Sequence, residues 1–356
     1  MKRSVLRAAA AVLAGVVLAA IPACGGGGSK AGTVKVAIVS NCTHKFWDIC
    51  EAGAKEGGRE FDADVIFRQP KSNTVADQME IVEQVQKLGI SGLAVSVIKP
   101  EDQTTDLKRI GGKVNLLTLD TDAPDSGRLC FVGVDNFAAG QDAGRLVKQA
   151  LPDGGTVALF IGNTTQANSK GRIAGVLTEL GGKDVRKDVE EGRYADTYGK
   201  YTLYRKEPIT DATVEDKALS NAGDVLEALK DKPNVCLVGL FAYNPPALVE
   251  ATRSKKLVGK VKIVGFDEDL VTLDAIDKGE VVGSISQDPY NYGKESVKWL
   301  AKLGRGEAKK GDLPQTPTPH KLLLKAADTP KPAGSTAPVE PAAKFADKIR
   351  DALSKK

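Results

Sequence analysis

Histidine is nearly missing from this chain. His44 and His320 are the only two in 356 residues, so a multi-histidine metal site is excluded. Any Ser-His or Cys-His centre has to rest on one of that pair. Charge of one sign is also lacking, with 50 Lys plus Arg against 46 Asp plus Glu. Three of the cations, Lys2, Arg3 and Arg7, precede Cys24, and no acidic residue does. The balance gives no electrostatic reason to expect a nucleic-acid partner. Aromatics make up 5% of the chain, and there is no G-x-S-x-G elbow and no D-x-[DN]-x-[DN]-G loop. Those absences argue against a nucleophilic hydrolase and against calcium bound by that route, and no metal or cofactor is expected.

What is present begins with a leader. Residues 1–23 join a basic start to an uncharged apolar run, Ala8 to Ile21, too short for a membrane span but suited to a signal peptide. The run closes on Ile21-Pro22-Ala23-Cys24, which resembles a bacterial lipobox, with Pro22 an unusual member. That resemblance implies cleavage before Cys24, lipidation there, and a protein anchored to membrane in the periplasm or cell envelope. Residues 24–32 form a Gly-rich tether. Four cysteines remain, Cys42, Cys50, Cys130 and Cys236, with three possible pairings and buried free thiols equally open.

From Val34 onward, short apolar strands alternate with amphipathic helical stretches. Strands are predicted at 34–40, 64–69, 92–97, 114–120 and 130–134, then at 156–162, 202–206, 235–241, 261–267 and 281–287. One helix is predicted from Val75, Met79, Val82 and Val85 on a common face, and another over 290–303 before a strand at 320–324. Strands rich in Val, Ile and Leu, separated by helices, imply an α/β fold of two doubly wound parallel-sheet lobes. The expected division is 33–135 plus 288–316 for the first lobe and 136–287 plus 317–326 for the second. The chain is expected to cross three times, near Val134-Asp135, Gln287-Asp288 and Pro317-Thr318-Pro319. Residues 327–356 read as a Pro/Ala-rich linker ending in either a short amphipathic helix or a disordered tail.

Ligands in open parallel sheets bind beyond the carboxyl ends of strands. The residues found there are Asn41 to Trp47, Lys71 to Asn73, Asp120 to Asp122, Asn163 to Asn168, Tyr243 and Asn244, Phe266 and Asp267, and Gln287. Carboxylates, amides and rings with almost no cation suit a neutral polyhydroxylated guest. Only Lys45 and Lys170 are placed to serve an anion, and His44 is read as a residue of the rim.

The stretches VKVAIVSNCTHKFWDICEAGAKEGG, LLTLDTDAP, FVGVDN, VGFDED and SISQDPYNYG resemble the type I periplasmic sugar-binding proteins of the ribose- and galactose-binding group over about residues 33–326. These are solute receptors of ABC importers. The resemblance implies a monomer that closes on a sugar and meets permease subunits. By position it assigns the sugar-flanking rings to Phe46 and Trp47, a further ring to Phe266, carboxylates to Asp120 and Asp267, and amides to Asn73 and Gln287. Asn41, Asn168, Tyr243 and Asn244 complete the candidate set. Thr121 and Asn168 stand where arginines are expected, and Tyr243-Asn244 replaces an Asn-Asp step, which weighs against ribose itself. For each residue the plainer alternative is structural: Phe46 as core, Asp120 and Asp267 as loop caps, Gln287 as a hinge amide, and Glu56 and Lys55 as solvated helix charges. Two other functions fit the same residues. One is a sensor handing its closed form to a membrane kinase or chemoreceptor, the other a hydrolase using Asp120 and Asp267 as acid and base.

Overall fold

The computed structural model describes residues 33–326 and 329–354, so the leader, Cys24 and the tether lie outside the described residues. The first lobe contains β1 (Val34–Val39), α1 (Lys45–Glu60), β2 (Ala63–Arg68), α2 (Val75–Gln86), β3 (Gly92–Val95), α3 (Pro100–Gly111), β4 (Asn115–Leu119) and β5 (Phe131–Val132). The second runs through α4 (Asn136–Ala150), β6 (Gly155–Ile161), α5 (Ala167–Gly181), α6 (Arg186–Glu190), β7 (Thr197–Tyr198), β8 (Tyr201–Leu203) and β9 (Ile209–Thr210). It continues with α7 (Glu215–Leu229), β10 (Val235–Gly239), α8 (Asn244–Ser254), β11 (Val261–Phe266), α9 (Leu270–Asp277) and β12 (Gly283–Ser286). The chain then returns through α10 (Pro289–Gly304), β13 (Lys321–Leu324), β14 (Val339–Pro341) and α11 (Ala342–Ser354).

One sheet has the order β2-β1-β3-β4-β5 and is parallel throughout. The other runs β14-β13-β12-β11-β10-β6-β8-β7 with β9 also on β6, parallel except for the β12–β13 and β7–β8 pairs. Both are doubly wound, because Val, Ile and Leu strands buried on two faces need helices on both. Ile38, Leu93 and Leu117 are fully buried in one sheet, Leu159, Leu237 and Val264 in the other. The chain passes from one sheet to the other after β5, and α10 packs back on α1, β1, β3 and β4. At the crossings the Tyr292 hydroxyl accepts from Val134 N at 3.0 Å and donates to Gln287 Oε1 at 3.4 Å. Thr318 N donates to Gly133 O at 2.7 Å, so three crossing segments are stitched together.

Several local expectations are corrected. The strand predicted over 202–206 stops at Leu203, because Arg205 and Lys206 take left-handed backbone (φ 57° and 60°) and turn the chain away. The face of α2 that packs inward carries Gln78 with Val82 and Val85. Gln78 is fully buried and its Nε2 donates to Ser40 O and Ser96 O, tying together the ends of β1 and β3. Glu56 is not merely a solvated charge: it accepts from the Tyr290 hydroxyl and pairs with Lys294 at 3.0 Å, fastening α10 to α1. The four described cysteines are free thiols, and burial pushes Cys42 and Cys130 up to about 11 and Cys236 up to about 12.

The largest correction concerns the tail. The stretch read as a linker instead adds β14 to the edge of the second sheet, and of the two alternatives for its end the short amphipathic helix is the one found, as α11. Phe345, Ala346 and Ile349 of α11 are buried against Leu273 and Ile276 of α9 and Ile49 of α1. The spacing of Phe345, Ala346 and Ile349 puts all three on one helical face, and that apolar face explains why the segment docks.

Candidate functional site

The carboxyl ends of the two sheets face one another across a cavity of about 270 Å³. On the first wall, the loop after β1 leads into α1, whose first turn is capped by a ring: His44 Nδ1 accepts from Phe46 N at 3.1 Å. That cap aims Phe46 and Trp47 at the cavity, edge to face with centroids 5.1 Å apart. Trp47 Nε1 donates to Asn41 Oδ1 at 3.0 Å, which fixes both. Asp120, directly after β4, and Lys71 and Asn73, after β2, complete this wall. Ser96 Oγ donates to Asp120 Oδ2 at 3.3 Å.

The second wall is built from the starts of helices and the ends of strands. Gln166 and Asn168 come from the entry to α5 and Arg172 from its second turn, Thr213 and Glu215 from the entry to α7. Phe241, Ala242 and Tyr243 follow β10, Asp267 follows β11 and Gln287 follows β12. Gln287 Nε2 donates to Asp267 Oδ1 at 2.6 Å. His44 Nε2 lies 3.8 Å from Glu215 Oε1, a contact between the walls at the cleft rim.

Residues 36–308 match the family described as a periplasmic binding protein domain. The chain belongs to that family. Among curated relatives, the ribose import binding protein of Escherichia coli strain K12 is 21% identical over 285 residues, covering 78% of this chain and 86% of that one. The ribose import binding protein of Haemophilus influenzae is 23% identical over 292 residues, 78% and 87% of the two chains. A solute binding protein from Burkholderia graminis C4D1M, solved with D-arabinose, superposes with a TM-score of 0.72 at 22% identity, covering 83% of this chain and 97% of that one. A Mycobacterium smegmatis solute binding protein, solved with glycerol, gives 0.70 at 20% identity over 87% and 100%. The fold is that of the type I periplasmic binding proteins.

Within this binding protein, Asn41, Phe46, Trp47, Asn73, Asp120, Asn168, Tyr243, Asp267 and Gln287 line the one cavity. Phe266 and Asn244 do not. Phe266 is fully buried and forms a floor beneath Arg172. Asn244 lies behind the wall, where its Oδ1 accepts from Phe241 N at 3.0 Å and its Nδ2 donates to Asp211 Oδ2 at 2.9 Å. Lys170, one of the two cations read as placed to serve an anion, pairs with Glu190 at 2.6 Å. Lys45 lines a smaller adjoining hollow.

The group missed by reading strand ends is Arg172. It is 2% exposed, stacks over the Phe266 ring at 4.0 Å, and donates to Leu240 O at 2.7 Å and Asn136 Oδ1 at 2.9 Å. Its Nη1 lies 3.8 Å from Asp267 Oδ2. Arg172 lies one helical turn after Asn168, the position at which the resemblance implies an arginine. The available signal was the i, i+4 spacing, which puts both positions on the face of α5 that meets the cleft. Cation and carboxylates set the electrostatics together. Burial pushes Asp120 up to about 7, with Asp267 opposite adding to the rise and Arg172 and Ser96 opposing it. Asp267 is raised as well, by burial, against the pull of Arg172 and the Gln287 amide.

Proposed function

We propose that the chain captures a neutral monosaccharide or small polyol between its lobes and delivers it to an ABC importer from the outer face of a membrane. The observation that carries this reading is the cavity wall itself. Two buried carboxylates accept hydroxyl hydrogens, Arg172 and Gln287 donate, and Phe46, Trp47 and Tyr243 offer flat faces to C–H groups. At about 270 Å³ the cavity is smaller than the roughly 300–1,000 Å³ of drug-sized sites, which favours one sugar ring over a chain of them. Related proteins are named for ribose or were solved with D-arabinose or glycerol, all neutral polyhydroxylated molecules.

The lobes are taken as 33–135 plus 288–316 and 136–287 plus 317–326, turning on the three crossings. A guest touching both walls stabilises the closed arrangement over the open one. Cys24 serves as the lipid attachment point, with residues 24–32 as the tether. In this reading Asp120 and Asp267 are hydroxyl acceptors and perform no proton transfer to a leaving group. The test is a thermal-shift screen against D-ribose, D-arabinose, D-allose, D-xylose, D-glucose and glycerol. A true ligand at 1,000-fold excess over its dissociation constant stabilises by about 4 kcal/mol. No shift with any of them overturns the proposal.

A further inference from the structure

Asp211 does not itself line the cavity, yet it organises the wall that does. It follows β9 and is 1% exposed. Oδ1 accepts from the Tyr243 hydroxyl at 2.6 Å and from Thr213 N at 2.9 Å, and Oδ2 accepts from Asn244 Nδ2 at 2.9 Å. Ala212 and Thr213 both hold left-handed backbone (φ 58° and 62°), a conformation that a β-branched residue rarely adopts. The Asp211 acceptor is what meets the Thr213 N–H in that turn. Beneath the wall sits Gly162, where an added Cβ would lie 2.7 Å from the Tyr243 hydroxyl, 2.7 Å from the Phe241 ring and 2.8 Å from the Thr213 methyl. Tyr243 in turn meets Phe241 and, across the cleft, His44, each edge to face at 6.2 Å.

Resting on the sugar-capture reading, we infer that Asp211 is a positioning residue that sets which ring substituents the cleft admits. It does so by locking Tyr243 and Thr213 as a rigid stop on the second wall, with Gly162 leaving the room for that stop. D-ribose and D-allose differ, as pyranoses, by one hydroxymethyl group, as do D-xylose and D-glucose. The test measures dissociation constants for whichever pair the wild type binds, in wild type, Asp211→Asn, the double swap Asp211→Asn with Asn244→Asp, and Gly162→Ala. Asp211→Asn sets two amide donors against each other, so the ratio within the pair should move by about threefold or more. The swap restores every donor–acceptor match and should return the ratio to the wild-type value. Gly162→Ala, which displaces Tyr243 without touching Asp211, should also move it. A melting temperature that falls while the ratio stays fixed in all variants overturns the inference. A wild type that binds neither pair overturns the inference alone, and one that binds none of the six compounds of the thermal-shift screen overturns the underlying reading as well.

A separate observation carries a second inference. α11 is anchored on the second lobe by β14 pairing with β13 and by Arg350 bonding Asp274 of α9 at 2.7 Å, yet its apolar face also packs on Ile49 of α1 in the first lobe. Beside that contact lies a cavity of about 380 Å³ between α1, α10 and α11, where Ile49, Phe345 and Ile349 share the lining with charged groups such as Glu56, Lys294 and Lys348. The two walls already meet across the cleft at His44 and Glu215, and the geometry points to α11 as a strap across the hinge that favours this closed arrangement. The test compares small-angle scattering of the sugar-free protein for wild type, Ile349→Ala and the milder Leu353→Ala. Both variants should show a larger radius of gyration without sugar and the wild-type radius when saturated, with sugar affinity weakened by up to about tenfold. Equal radii and equal affinities in folded variants contradict the strap.

Discussion

Asp120 and Asp267 end β4 and β11 in the same left-handed backbone conformation, with φ of 60° and 69°, and from opposite lobes they face one cavity. Aspartate tolerates that conformation better than most residues, and each strand thereby turns its carboxylate out of the sheet and over its end. A pair of buried acids so close in a shared site raises the cost of ionising both, and Arg172 offsets part of it.

Removing Arg172 should therefore damage both fold and binding. Arg172→Met keeps the bulk over Phe266 but strips the donors from Leu240 O and Asn136 and the cation from Asp267. Breaking one side of such a buried arrangement costs about 3 kcal/mol or more. Chemical denaturation is expected to show that loss, together with weakened sugar binding. A variant as stable as wild type would contradict the role assigned to the guanidinium.

The pH dependence has a definite sign. Asp120, Asp267 and Glu268 (pushed up to about 8) all have folded pKa values raised, chiefly by burial. Between about pH 4, where an ordinary carboxylate titrates, and pH 7, the folded chain holds more protons than the unfolded one at these sites. These groups make the sugar-free protein more stable as pH falls from 8 toward 5. Below about pH 4 the trend reverses, because Asp142 and Glu340 have lowered pKa values and protonate against the fold. Melting temperatures at pH 5.5 and 8 check this. Sugar affinity moves the other way. Hydroxyls donating to Asp120 favour its ionised form, so binding should release protons and weaken as pH drops below 7.

Trp47 and Trp299 are the chain's two tryptophans, and of these Trp47 lines the cavity while Trp299 sits on α10 beside Lys298 and Lys302. Sugar should change the emission of the wild type, and Trp47→Phe should remove most of that change. A signal that survives in Trp47→Phe would place the guest elsewhere.

For the anchor, Cys24→Ala should move the protein from the membrane fraction to the soluble extracytoplasmic fraction, read by immunoblot. An unchanged distribution would exclude Cys24 as the attachment point.

The sequence made the alternation of strands and helices legible because buried parallel strands are continuous Val, Ile and Leu runs, as at Val34–Val39 and Val235–Gly239. Strand-end residues such as Asp120, Asp267 and Gln287 were legible for the same reason: parallel sheets put ligands beyond those ends. Arg172 was hidden because it reaches the cleft from inside a helix. Phe266 was misplaced because it and Asp267, adjacent at the end of β11, face opposite ways, and Asn244 because it opens α8 and bonds Phe241 N and Asp211 behind the wall. Asp211 follows a two-residue strand, too short to leave a periodic signal. The docking of α11 was obscured by the Pro-rich stretch before it, although Phe345, Ala346 and Ile349 mark an apolar face.

Isothermal titration calorimetry of the wild type, Asp120→Ala and Asp267→Ala with the sugar that gives the largest thermal shift tests the interlobe cleft most directly. One site per chain in the wild type, with binding lost or greatly weakened in both variants, is the predicted result. Undiminished binding in either variant, or no heat from any neutral sugar in the wild type, would contradict it.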